Sequence, residues 1–303
     1  MQKLLILISC LLVTVLAGAQ EKSTESARKD TIPFILTPQN NLSIMAVLNQ
    51  VDTLNLMFHT GAGGVALIES VTEKLPSWQA GGTEKVKSWG GETTADWSEK
   101  NSLQIGDLSW ENVFITEDKY SGTGTDGKFG PNLFKEKLVE INFDKNVLVI
   151  HSALPKVEEG FEKMGLTFYR SSMFLEGIIK LDGKVLKNHF MIHSGYSGTV
   201  LFDDEFVAEH GLGQVLKTLS ERELKDAYGN ILKTKKSLLP SLDFGKNNFS
   251  GIPVGMFEGA IGRQKMSVMG GELIKRFNWI FDMGNDLVFI KSNKLMALPF
   301  SDV

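Results

Sequence analysis

Cysteine is nearly absent. The 303-residue chain has one, Cys10, near its N-terminus. No intrachain disulfide is then possible, so the fold must be held by its apolar core, which a chain of this length is large enough to build. After the first residues no apolar run is long enough to cross a bilayer, so no membrane span is expected. Charge of one sign is also scarce. The net is −4, or −5 once Lys3 is removed with the leader, which argues against nucleic acid or an anionic membrane as the main partner. Histidine occurs five times, never as H-x-H, and its one H-x-x-x-H spacing, His189 to His193, falls in a strand pattern, so the usual helical zinc pair is missing.

What is present begins with a leader. Lys3 supplies a positive charge, Leu4 to Leu16 are mostly apolar, and Ala17-Gly18-Ala19 offers a small-residue cleavage site. Residues 1–19 therefore read as a signal peptide, and export to the periplasm or cell exterior is expected. Leu7-Ile8-Ser9-Cys10 matches a lipoprotein box only loosely, and lipid anchoring is not expected. Residues 20–41 follow as a polar leader and a first strand.

One stretch then occurs twice. Leu56-Met57-Phe58-His59-Thr60-Gly61-Ala62-Gly63-Gly64-Val65-Ala66-Leu67 aligns without gaps on Phe190-Met191-Ile192-His193-Ser194-Gly195-Tyr196-Ser197-Gly198-Thr199-Val200-Leu201. Each copy ends a strand of an alternating hairpin and enters a glycine-rich turn. The flanking order repeats as well. After the first copy come a short helix capped by Ser70, a glycine-tipped hairpin at Trp89-Gly90-Gly91, the Leu103–Trp110 hairpin, Phe129-Gly130 before a helical stretch from Leu133 to Leu138, and a closing hairpin ending at His151. After the second come a helix begun by Asp203 and ended by His210 and Gly211, the Leu242–Val254 hairpin, Met269-Gly270 before a helix, and a hairpin ending near Lys291. The repeat is too long and too few in copies for a solenoid. It predicts two units, 42–154 and 155–303.

The paired motif, the later apolar-Gly segments and the closing hairpins together resemble the bilobal, retropepsin-like (pepsin-like) aspartic peptidases of bacteria over roughly residues 42–292. The resemblance implies an all-β fold with short helices: two tandem β-barrel lobes around a central cleft. It implies that Thr60 and Ser194 interlock the two loops, supported by Gly61 and Gly195. It places Trp89, Gly90 and Gly91 at the cleft edge and Tyr196 facing the cleft, as substrate-binding residues. It also exposes one departure: where the family carries its two catalytic aspartates, this chain has His59 and His193.

Two carboxylates in contact share one proton, one serving as base toward water and the other as donor. Imidazole is bulkier and cationic when protonated, so ordinary acid-optimum proteolysis is not expected. Three readings stay open. The cleft binds a peptide, glycan or other small ligand without cleaving it. Alternatively, His59 and His193 form a general acid/base pair for a glycoside, ester or peptide bond, sharing a proton near neutral pH. In the third, the pair ligates a metal; no third ligand is evident, so no cofactor is expected. Of the remaining residues, His210 is expected to support a helix end and His151 to be solvated on an edge hairpin. His189 lies too far along its strand to join His193. Asn132 and Glu272 are candidates for the cleft floor.

Overall fold

The structure, a computed structural model, describes residues 29–88, 91–229, 231–257 and 265–301. The signal peptide and the start of the leader, and Trp89 and Gly90, lie outside the described residues.

Alternating apolar residues drive the chain into strands whose inner faces fill two barrels. In the first, six strands close into a ring in the order Leu42–Leu48, Asp52–Phe58, Gly127–Phe129, Val65–Ile68, Leu108–Asp118 and Gly91–Ile105. The last returns to the first through Val47 opposite Gln104. In the second, the ring runs Ser172–Leu181, Lys184–His193, Ser267–Gly270, Val200–Leu201, Asn247–Phe257 and Ile231–Phe244, and closes through Ile179 opposite Leu242. The two rings have the same order and the same strand directions. Each adds an outer hairpin strand, Gly82–Ser88 in the first and Thr218–Lys225 in the second. The expected all-β architecture of two barrel lobes is therefore observed.

A third sheet of six strands joins them. It runs Lys29–Pro33, Val147–His151, Leu138–Asn142, Phe277–Asp282, Leu287–Ser292 and Glu162–Gly165. The closing hairpins of both units meet at its centre, where Ile141 pairs with Trp279. Trp279 and Phe281 stack at 5.5 Å and are fully buried beneath it.

Local signals explain most boundaries. Asp182 and Gly183 both adopt positive φ, as a two-residue hairpin turn requires. Asp203 caps the helix Asp204–Glu209 by accepting from the Phe206 N–H at 2.7 Å. His210 caps its other end, its ring 4.4 Å from Phe206, and Gly211 follows at φ 62°.

Three expectations are corrected. Ser70 lies inside the helix Glu69–Thr72 and does not cap it. The helix expected from Leu133 to Leu138 is a single 3-10 turn, Pro131–Phe134, because Leu138 is already committed to the joining sheet. His151 is buried, not solvated: its strand lies between two others, and its Nε2 meets Glu140 Oε2 at 2.8 Å. That contact holds the Glu140 carboxyl below its ordinary range.

Candidate functional site

Each barrel delivers its histidine in the same way. The hairpin strand carrying the motif runs parallel to the strand of the apolar-Gly segment, Phe58 beside Phe129 in one lobe and Ile192 beside Met269 in the other. A tight turn follows, closed by Ala62 N–H to His59 O at 2.9 Å and by Tyr196 N–H to His193 O at 3.1 Å. The second loop then differs. Gly130 N–H donates to Gly64 O, whereas its counterpart Gly270 N–H donates to Thr199 O. Val65 lies opposite Phe129, and Val200, not Thr199, lies opposite Met269. The second loop is thus one residue longer, and the gap-free alignment of the two copies slips by one after the turn.

The hydroxyls interlock across the lobes. Thr60 N–H donates to Ser194 Oγ at 3.0 Å, and Ser194 N–H donates to Thr60 Oγ1 at 3.0 Å. Each hydroxyl then donates onward, Thr60 to Ile192 O at 2.6 Å and Ser194 to Phe58 O at 2.7 Å. Both residues are fully buried. Four mutual hydrogen bonds in a dry interior fix the two loops rigidly relative to each other.

The imidazoles meet in the space this leaves. Their ring centroids are 4.5 Å apart at an interplanar angle of 65°. Gly61 N–H donates to His59 Nδ1 at 3.0 Å, which makes Nδ1 an acceptor and leaves the proton of the neutral ring on Nε2. Both glycines of the turns are there for room. A Cβ at Gly195 would collide with Cδ2 and Nε2 of His59, and one at Gly61 would stand 3.1 Å from Cδ2 of His193. His59 is buried, and His193 is the more accessible of the two.

Burial pushes the His59 pKa well below its ordinary value, and the neighbouring His193 and Lys128 push it further. Burial likewise brings His193 down to about 4, with Lys128 adding to the depression. Both rings are therefore neutral at neutral pH. This corrects the expectation of a one-proton pair there: desolvation, which the sequence does not display, outweighs the advantage of sharing a proton.

The histidines lie in a cavity of about 660 Å³ between the lobes. Gly61, Gly195 and Tyr196 line it too, and burial raises the Tyr196 phenol to about 12, so it stays protonated. Sequence reasoning missed Lys128. It borders the cavity and pairs with the buried Asp118 at 2.5 Å. Asp118 also accepts from the Tyr228 hydroxyl, and burial raises its carboxyl despite both partners. Tyr228 belongs to the turn of the second lobe's hairpin. That turn crosses to the first lobe, where Tyr120 N–H donates to Ala227 O at 2.9 Å and Gly229 packs on the Tyr120 ring. The cavity is thus roofed from the second lobe. A signal for Lys128 was available: the repeat places a lysine where its counterpart, Val268, is apolar.

Other sequence candidates stand elsewhere. Gly91 opens the returning strand of the first lobe's hairpin, opposite Ser88. Asn132 is exposed on the 3-10 turn. His189 is exposed, opposite Glu176. Glu272 is fully buried in a clasp, its Oε1 paired with Arg276 at 2.8 Å and its Oε2 with Lys275 at 2.9 Å. Asn40 connects the clasp to the second loop, donating to Glu272 and to Ser197 O, each at 2.9 Å. Among the described residues no group of three or more His, Cys, Asp or Glu is placed to hold a metal ion. The charged side chain that acts on both rings is a cation, Lys128, so the donor set does not fit a metal centre. No helix of the described residues is long and apolar enough to cross a membrane.

No protein-family model matches this sequence, and no curated sequence matches it. The fold does have a match among solved structures. An aspartic proteinase from Irpex lacteus superposes with a TM-score of 0.60 at 12% identity, covering 90% of this chain and all of that one. The chain has the bilobal aspartic-proteinase fold.

Proposed function

We propose that this is an exported aspartic-peptidase-fold protein whose interlobe cleft binds an extended ligand and does not cleave it. One observation carries the reading. The position that holds a proton-sharing carboxylate pair in the fold's peptidases holds two contacting imidazoles, both neutral by burial. A neutral imidazole accepts a proton, but its remaining N–H is far too weak an acid to donate in turn. A donor and an acceptor would coexist only in acid, toward the His193 pKa of about 4. The intact interlock fits this role as well, since a rigid cleft binds with little ordering cost. In this reading residues 1–19 are the export signal and residues 42–154 and 155–303 are the two lobes.

A hydrolase using His59 and His193 as acid and base keeps one supporting observation. The Gly61 N–H on His59 Nδ1 fixes the ring tautomer, as catalytic imidazoles require. A screen of peptides, glycosides and esters between pH 3 and 8 separates the two readings. We expect no turnover. Turnover lost in both His59→Ala and His193→Ala would overturn the binding reading.

A further inference from the structure

Resting on that binding reading, we propose that the cleft selects an acidic peptide, laid as an extended strand along the edge of Thr218–Lys225. Three observations converge on it. The first is charge. The chain as a whole is net negative, yet Arg222, Lys225, Lys235 and Lys236 border the cavity against two acids, Glu223 and Asp226, with Lys128 already paired to Asp118. Arg222, Lys225, Lys235 and Lys236 all come from the hairpin that roofs it. A cleft of one sign between low-dielectric walls concentrates ligands of the other. Arg222 stands close enough to the half-buried Tyr196 to act on its phenol, which places this cation over the second motif.

The second observation is the edge. Among the described residues Thr218–Lys225 ends its sheet, paired on one side only, with Ile231–Phe244. Residues 222–227 border the cavity consecutively. Four of these, Arg222 to Lys225, belong to the strand itself, so the edge strand lies along the cavity. An unpaired strand edge offers N–H and C=O groups at the spacing of another extended chain, which selects a peptide over a glycan.

The third observation is the difference between the lobes. In the first lobe's hairpin, residues 82–97, Lys85 and Lys87 face Glu84, Glu92 and Asp96 in the count of charge. Residues 218–236 of the second carry five cations and three acids. The excess of positive charge falls on the hairpin that overhangs the histidines.

Calorimetric titration of the purified protein with hexaglutamate, hexaglutamine and hexalysine tests this. Hexaglutamate is expected to bind at least tenfold more tightly than either control and to weaken as salt rises from 50 to 300 mM. Arg222→Gln/Lys236→Gln is expected to abolish that preference in a variant that still unfolds cooperatively. Should the double variant not fold, Lys236→Gln alone and the salt series carry the test. Hexaglutamate binding no tighter than hexaglutamine, or an unaltered preference in the folded variant, would overturn the proposal. Mass spectrometry of the recovered hexaglutamate keeps the two readings apart. Cleavage would sink the non-proteolytic reading, whereas loss of charge selectivity without cleavage sinks only this one.

Discussion

The two lobes repeat each other strand for strand, yet the strands beneath their histidines carry opposite chemistry. In the first, Lys128 lies beside Met57 and pairs with Asp118. In the second, the equivalent of Lys128 is Val268, and the equivalent of Asp118 on the matching eleven-residue strand is Phe257. Val268, Leu201, Met191 and Phe174 form a separate apolar cluster, against which Phe257 and Tyr196 pack. A duplicated scaffold thus tolerates either an ion pair or a hydrophobic plug at one place, because the barrel geometry is set by other residues. The ion pair places a cation near the imidazoles, and the plug places a half-buried phenol.

The largest expected effect comes from erasing what the lobes still share. In His59→Asp/His193→Asp the interlock and loops remain, so an acid-optimum peptidase activity should appear, about 100-fold or more above wild type. Either single aspartate should give none. Assay of a denatured protein substrate at pH 3 to 5 checks this, and an inactive folded double variant would show that the scaffold lacks more than carboxylates.

Next in size is Lys128→Met, which leaves Asp118 buried without its cation and should cost about 3 kcal/mol in urea unfolding. Grafting the second lobe's solution, Lys128→Val with Asp118→Phe, should recover most of that. If the graft is worse than the single change, the lobes are less interchangeable than their topology suggests. Gly195→Ala should cost about 2 kcal/mol, because the added methyl meets the rigid His59 ring, and Gly61→Ala about half as much. There the added carbon chiefly meets the end of Met191, at 2.6 Å, and that flexible side chain can move.

The smallest effect is on pH. Both histidines have depressed pKa values in the fold, so the unfolded chain takes up protons first as pH falls. Stability should drop from about pH 6.5, the ordinary histidine value, down to about 4, where His193 itself titrates, and be fully present above pH 7. His193→Gln should flatten that slope in urea unfolding measured at pH 7.5, 5.5 and 4.

Much of this was legible in the sequence, since a motif repeated with its surroundings reports symmetry directly. The strands that deliver the two motifs and the apolar-Gly segments stand where the repeat placed them, and Thr60 and Ser194 interlock as the family resemblance implied. The one-residue extension of the second loop was hidden, because a glycine-rich turn aligns with or without a gap. Charge state was hidden too, since two histidines look alike in a sequence whether buried or wet. The Lys128–Asp118–Tyr228 group could not be assembled at all. Lys128 and Asp118 meet on strands that flank Val65–Ile68 in the first lobe, and Tyr228 joins them only when the second lobe's hairpin crosses over.

The joining sheet has a kinetic consequence. Its first strand, Lys29–Pro33, must find Val147–His151, and Val139–Ile141 must find Trp279–Phe281. Each pairing closes a loop of more than a hundred residues, and such distant partners make folding slow. Neither lobe can complete its closing hairpin's environment until the other's is present. The last-made strands therefore set when the first-made lobe becomes permanent, and the two should unfold as one unit in spite of their separate barrels.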